Sequence, residues 1–274
     1  MTTLDTATRP SALGLKGWNR PLALTGLLLA AALVPTLWLA LNDPRTLIGV
    51  SVWDKPLKFE LSTAIFLLMS AWVFTRLPAG WARTNQGRYT VWAGVAAALF
   101  EVGYIIYRAS RGEASHFNFS SLTTIVLYGL MGVGALALTS TALVQGIAVL
   151  KTADTAGDNP VFRGALGWGL VLTFVLGASL GGYMSTQGSH WVGGLRSDAT
   201  GLPLFGWSTT GGDLRPPHFL GIHASQIIPV ASLVIIRLFG RLAGLLTTLF
   251  VVGYIALTIA VFVQALMGLP LIAP

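Results

Sequence analysis

Residues 22–41 read LALTGLLLAAALVPTLWLAL, a run of twenty residues without a charged side chain. An α-helix rises about 1.5 Å per residue, so this run covers roughly 30 Å, the thickness of the hydrocarbon core of a bilayer. Arg20 and Asp43 are the nearest charged residues on either side. The stretch therefore predicts a membrane-spanning helix. No small-residue cleavage site follows it, so we expect a retained first helix rather than a signal peptide.

The composition predicts a membrane protein for the whole chain. Charged residues make up 10% of the 274 residues and hydrophobic residues 54%, with a mean hydropathy of +0.71. A soluble chain contains about 25% charged residues and needs them to cover its surface. The lack of cysteine excludes disulfides, thiolate metal sites, iron–sulfur clusters and covalently attached haem. We assign the net charge of +7 to loops that face anionic membrane lipids, and expect no nucleic-acid partner.

The intervals between charges predict seven spans, at 22–41, 56–75, 89–107, within 114–150, 164–184, 217–236 and 242–271. The predicted fold is an all-α integral membrane protein, a seven-transmembrane-helix bundle with a long structured outer loop, residues 185–216, between helices five and six. Residues 1–21 form a cytoplasmic tail and residues 22–274 a single transmembrane domain. In the fifth span, the spacing Gly177-x-x-x-Gly181 indicates close packing against another helix.

The loop charges predict the orientation. With these spans, ten Lys and Arg residues lie on the side of the N-terminus and seven on the other side. Cytoplasmic loops carry the excess of positive charge. We therefore expect a multi-pass protein of the plasma (inner) membrane, with the N-terminus in the cytoplasm and the C-terminus outside.

All four histidines fall on the predicted outer side. His116 lies at the head of the fourth span, His218 at the start of the sixth, and His223 about one turn deeper. Imidazole suits iron, copper and zinc. We predict that these three histidines bind a metal ion or haem b, with His223 the most important. His190 is expected in a flexible, water-accessible part of the outer loop.

Ionisable groups inside a span are functional candidates, because burying a charge in a bilayer is costly. Glu101 lies about seven residues inside the third span, and Glu101, Tyr104 and Arg108 share one helix face. We expect the Glu101 carboxyl to meet a basic or histidine side chain of another helix. That contact is either structural or part of proton transfer. Glu101, Arg108 and Arg215 are the predicted catalytic residues.

Further polar residues near the outer boundary are candidates for ligand binding. Asp213 precedes Pro216 and Pro217, which predict the start of the sixth helix. The polar stretch 116–121 is a cap or a re-entrant entry to the fourth helix. The full set of ligand-binding candidates is Lys58, Glu60, Tyr104, Asn118, Asp213 and Gln226.

Three functions remain open at this point. The first is a redox protein or enzyme that binds a metal ion or haem b. The second is a proton-coupled transporter or binding protein for a small anionic or lipidic ligand, which Arg108, Arg215 and Lys58 position. The third is an intramembrane zinc hydrolase, although the spacing from His218 to His223 is one residue longer than the usual His-x3-His. A retinal protein is excluded, because none of the four lysines lies near mid-membrane.

Overall fold

The computed structural model describes residues 17–154 and 156–273, so the first sixteen residues of the predicted tail lie outside the described part. Helices dominate the described residues. They are α1 (Arg20–Asn42), α2 (Asp54–Val73), α3 (Asn85–Ser110), α4 (Leu122–Lys151), α5 (Pro160–Thr186), α6 (Arg215–Ile222), α7 (Ala224–Phe239) and α8 (Ala243–Leu266). Two short antiparallel ladders pair β1 (Thr46–Leu47) with β2 (Val50–Ser51), and β3 (Trp191–Val192) with β4 (Gly212–Asp213).

Six helical segments among the described residues are long and apolar enough to cross a membrane. Five of them are α1 to α5, and the sixth is the 43-residue stretch Ala224–Leu266 that holds α7 and α8. Large apolar side chains such as Leu24, Trp38 and Val133 are exposed on the helix surfaces. A soluble protein does not present so much apolar surface to water. These features indicate a multi-pass membrane protein.

The last two helices form a hairpin. Forty-three residues in one straight helix would measure about 65 Å, roughly twice the hydrocarbon thickness. A 3₁₀ turn at Gly240–Leu242 separates α7 from α8, and the two helices pack against each other. Gly240 has a φ of 48°, in the left-handed region that favours glycine.

The stretch expected as one helix at 217–236 is broken. His223 ends α6 and precedes α7, and two side chains from other helices bind the backbone around it. The Ser225 N–H donates to Thr173 Oγ1 at 2.8 Å, and the Tyr254 hydroxyl donates to the Leu220 carbonyl at 2.5 Å. Buried backbone groups need such partners. The break is therefore stabilised by α5 and α8, which no local sequence signal shows.

Small residues bring α6 close to α5. A Cβ at Gly177 would lie 2.9 Å from Ile222 Cγ2, and a Cβ at Gly181 would lie 2.8 Å from His218 Cε1. Any larger residue at either position would force these helices apart. The close packing predicted from the Gly-x-x-x-Gly spacing is confirmed, with α6 as the partner.

The polar stretch before α4 is a cap. The Ser121 side chain accepts from the Thr124 N–H, and the Thr124 side chain accepts from the Ser121 N–H, which makes a capping box. Asn118 Oδ1 accepts from the N–H and hydroxyl of Ser120 in the preceding turn. Of the two alternatives for residues 116–121, the cap is correct.

Candidate functional site

The four histidines lie at one end of the bundle, formed by the connections α1–α2, α3–α4 and α5–α6. We call this the histidine end. Residues 187–214, here called the cover, fold across it between α5 and α6. Arg215 binds three residues of the cover. Its Nη1 and Nη2 each donate to Asp198 at 2.9 Å. Its Nε and Nη2 donate to Asp213 at 3.0 and 2.7 Å, and Nη2 also donates to the Gly206 carbonyl at 2.7 Å.

Two contacts attach the cover to the α1–α2 side. The Asp198 N–H donates to the Ile48 carbonyl at 2.9 Å, in the turn between β1 and β2. Lys58 Nζ donates to the Phe205 carbonyl at 3.0 Å and pairs with Asp54 at 2.6 Å. Lys58, a predicted ligand-binding residue, therefore ties the cover to α2.

Beneath the cover, ionisable side chains converge from five separate segments. We call them the polar cluster: Lys55 of α2, Glu101 of α3, His116 of the α3–α4 connection, His190 of the cover, and His218 of α6. The charge on Lys55 acts on both Glu101 and His116, and His190 and His218 also act on His116. The sequence separates these residues widely, and the packing of the helices brings them together.

Lys55 is the unpaired cation of the cluster. Among the described residues, no carboxylate lies within ion-pair distance of its Nζ and no hydrogen bond reaches it. Lys55 Nζ lies over the Phe59 ring, 5.6 Å from the ring centroid. The charges of Glu101, Asp198 and Arg215 act on it from further away.

Glu101 is 5% exposed and faces the bundle interior. Its Oε1 is buried and has no hydrogen-bond partner among the described residues. The same oxygen lies directly against Gly134 of α4, where a Cβ would clash with it. The hydrogen-bonded partner expected on a neighbouring helix is therefore not found for Oε1, and Lys55 is the cation that acts on this carboxyl.

His190 is 8% exposed, so the expectation of a water-accessible side chain is wrong. Its ring packs on Trp191, with centroids 3.8 Å apart, and on Phe117. Its Nε2 lies 3.8 Å from Asp198 Oδ1, which is too long for a hydrogen bond, and has no other partner among the described residues. Burial lowers the pKa of His190, although the nearby Asp198 opposes this effect. The imidazole is therefore neutral at pH 7.

His116 and His218 complete the group of imidazoles. Burial lowers the pKa of His116 well below its ordinary value, and the positive charge of Lys55 lowers it further. His116 Nδ1 lies 3.1 Å from the Ser115 hydroxyl. The His218 ring lies on Gly181, and its Nδ1 is buried without a partner among the described residues.

Other predicted residues lie around the cluster and have different partners. Arg108 pairs with Glu113 at 2.5 Å and lies over the Tyr104 ring, whose buried hydroxyl has no partner among the described residues. Glu60 points to α1, where its Oε1 accepts from the Thr36 hydroxyl at 2.7 Å. Each of these contacts joins neighbouring segments, and the predicted roles of Arg108, Tyr104 and Glu60 stay predictions.

His223 and Gln226 lie deeper, at the break between α6 and α7. The His223 ring packs on Phe219, with centroids 4.2 Å apart, and Gln226 Oε1 is buried without a partner among the described residues. Asp213 and Asn118 form local hydrogen bonds. Asp213 accepts from Arg215 and from the Ser208 N–H, and Asn118 accepts from the Ser120 N–H in the turn before α4.

Lys55 is the residue that sequence reasoning missed. It stands three positions before Lys58 at the start of α2, and both looked like interfacial lysines. The sequence feature that could have indicated Lys55 is its position in Val52-Trp53-Asp54-Lys55-Pro56, a segment with polar and aromatic residues that leads into an apolar helix. Only the tertiary structure shows that Lys58 binds the cover while the charge of Lys55 acts on the cluster.

Comparisons with known proteins add no further assignment: no family model, curated protein or solved structure matches this chain. Within residues 17–154 and 156–273, no group of three or more His, Asp or Glu side chains is arranged to hold a metal ion. The fold and site therefore define a class only, a multi-pass helical membrane protein with a buried polar cluster at one end.

Proposed function

We propose that this chain is a seven-span membrane protein that binds a small anionic ligand in the polar cluster, coupled to a proton on Glu101. In this proposal α7 and α8 each cross the membrane, the N-terminus is cytoplasmic, and the histidine end faces outside. The observation that carries the proposal is that, among the described residues, neither Lys55 Nζ nor the buried Glu101 Oε1 has a hydrogen-bonded partner, while the charge of Lys55 acts on the Glu101 carboxyl.

The chemistry follows from the cost of burial. A charged side chain in a low-dielectric site is costly unless a counter-charge is present, and Lys55 has none within ion-pair distance among the described residues. A carboxylate or phosphate group at Lys55 would supply that charge. It would also repel a negative charge on Glu101, so anion binding would be accompanied by proton uptake.

The arginines have supporting roles in this proposal. Arg215 is already occupied by Asp198 and Asp213, and Arg108 by Glu113. They position the cover and the end of α3, while Lys55 contacts the ligand. The neutral imidazoles of His116 and His190 supply hydrogen bonds without adding charge.

Titration calorimetry on the purified protein tests this proposal, with acetate, inorganic phosphate and octanoate as probes. We expect at least one of them to bind, and at a pH where the Glu101 carboxyl is ionised before binding, a proton should be taken up per anion when buffers of different ionisation enthalpy are compared. Lys55→Gln should abolish binding, and Glu101→Gln should retain binding but lose the proton uptake. Lys151→Gln, at the opposite end, is the matched control. Binding that survives Lys55→Gln, or the failure of all three probes, would overturn the proposal.

A second candidate, a redox protein that holds haem b or a metal ion, has its own supporting observation. Among the described residues, the buried nitrogens His190 Nε2 and His218 Nδ1 have no hydrogen-bond partner, and a neutral imidazole is the form that binds a metal. His116 and His218 would be the ligands, joined by His190, and His223 remains a prediction. A Soret band or stoichiometric metal in protein purified from membranes, lost in His218→Ala, would support this candidate.

A further inference from the structure

A groove with a volume of about 600 Å³ lies away from the polar cluster. It runs between α5 and α8, starting at the end of the bundle opposite the histidines. Its walls include Val161, Trp168 and Leu172 of α5 and Val251 and Ile255 of α8. From residue 160 to residue 172 a helix rises about 18 Å, slightly more than one leaflet of a hydrocarbon core of about 30 Å.

The groove is open toward the surrounding membrane. A Cβ placed on Gly164, in the wall, would meet nothing within 4 Å, and the Trp168 side chain is 53% exposed. The two helices come closer at the end of the groove, where a Cβ on Gly244 would lie 3.9 Å from Val161 Cγ2. The groove has apolar walls and extends along two membrane-spanning helices, so it can accommodate a hydrocarbon chain.

The charges near the mouth of the groove are positive. Arg237 lies in the last turn of α7 and Arg241 in the turn that leads into α8, and both are exposed. Neither forms an ion pair within the described part of the chain. Such cations favour an anionic headgroup.

The acidic residues at this end do not cancel that charge. Asp158 pairs with Arg76 at 2.9 Å, and Asp154 lies 3.5 Å from Arg163. Their carboxylates are therefore matched by other arginines, which leaves the turn between α7 and α8 with an excess of positive charge.

One polar side chain in the groove wall lacks a partner. Thr247 is 5% exposed, and its Oγ1 forms no hydrogen bond among the described residues. It lies six residues after Arg241, at the level where the glycerol esters of a lipid follow its headgroup. A hydroxyl there can donate to an ester carbonyl.

We propose that this groove binds one acyl chain of an anionic glycerophospholipid from the leaflet on this side. In this arrangement the esters lie at Thr247 and the headgroup at Arg241 and Arg237. The inference does not depend on the function of the polar cluster, which lies at the other end of the bundle.

Quenching of Trp168 by brominated lipids tests the proposal. The protein is placed in phosphatidylcholine vesicles that contain a minor fraction of either brominated phosphatidylglycerol or brominated phosphatidylcholine. The difference between the wild type and Trp168→Phe isolates the emission of Trp168. We expect brominated phosphatidylglycerol to quench this emission at least about threefold more strongly. Equal quenching by the two lipids would overturn the proposal.

Variants separate the groove from the general lipid surface. Gly164→Leu fills the groove, and Arg237→Gln with Arg241→Gln removes the positive mouth, so each should bring the quenching ratio to about one. Gly253→Leu is the matched control, because a Cβ there also meets nothing within 4 Å but residue 253 does not line the groove. Thermal unfolding of each variant verifies the fold. A ratio that stays high in the groove variants, or falls equally in the control, would contradict the assigned site.

Discussion

Arg215 donates two hydrogen bonds of 2.9 Å to the carboxylate of Asp198, seventeen residues earlier in the chain. The planar guanidinium matches a carboxylate in this two-point geometry, which gives strong and directional pairing. Because the same guanidinium also binds Asp213, the first residue of α6 fixes the cover above the polar cluster.

Arg215→Gln should loosen the cover, because it leaves two buried carboxylates without their cation. We expect a loss of about 3 kcal/mol in the stability of the cover. The measurement is the rate of limited proteolysis within residues 193–207. Arg111→Gln is the control, since the Arg111 side chain is 61% exposed and its pairing is worth at most about 1 kcal/mol. Similar cleavage rates in both variants would argue against this role for Arg215.

Gly134→Ala should destabilise the protein by about 2 kcal/mol, because the new methyl group clashes with the Glu101 carboxyl. In the background of Glu101→Ala the same substitution should cost little. Thermal unfolding of the single and double variants measures this coupling. Gly132→Ala, where a Cβ meets nothing within 4 Å, is the control. Additive effects at positions 134 and 101 would show that the two residues are not in contact.

Acidification should destabilise the histidine end. The pKa values of His116 and His190 are lowered by burial, whereas an unfolded chain binds a proton near the ordinary value of about 6.5. The unfolded state then binds more protons, so stability falls as the pH drops through 6.5. The pKa of Asp198 is also lowered, so its carboxylate stays charged from pH 7 to pH 5.

Unfolding midpoints between pH 7 and pH 5 measure this effect. We expect the midpoint to fall with pH in the wild type, and to fall less in His116→Gln and His190→Gln. If both variants show the wild-type dependence on pH, these two imidazoles are not the groups responsible.

Thr173→Val should weaken the junction between α6 and α7. The Ser225 N–H loses the Thr173 hydroxyl that accepts its hydrogen bond, and a buried unsatisfied donor costs about 1–3 kcal/mol. Hydrogen exchange at residues 223–227 should accelerate. Thr139→Val is the matched control, because its hydroxyl bonds a carbonyl of its own helix. Unchanged exchange in Thr173→Val would show that α5 does not hold the break.

The chain contains no cysteine, so single cysteines introduced by substitution can test the orientation. A maleimide that cannot cross the bilayer should label Leu204→Cys on intact cells, because Leu204 is 87% exposed on the cover. It should label Ala156→Cys, between α4 and α5, only after the cells are opened. Labelling of both positions, or the reverse pattern, would refute the proposed topology.

The sequence determined the membrane class and, apart from the break at His223, the approximate positions of the long helices. The uncharged run at 22–41 became α1, and Ser121 and the proline pair at Pro216 mark the starts of α4 and α6. These features depend on the transfer of side chains to lipid and on caps within a few residues, so the local sequence is enough to predict them.

The tertiary structure alone decided which polar residues meet. Lys55 and Lys58 lie about one turn apart at the start of α2, yet Lys58 binds the cover and the charge of Lys55 acts on the cluster. His190 is buried against Trp191 and Phe117, and α6 ends at His223 where Thr173 of α5 and Tyr254 of α8 satisfy the backbone. Each of these outcomes rests on contacts between distant segments, whose free energy depends on the geometry of packed helices and leaves no pattern in the local sequence.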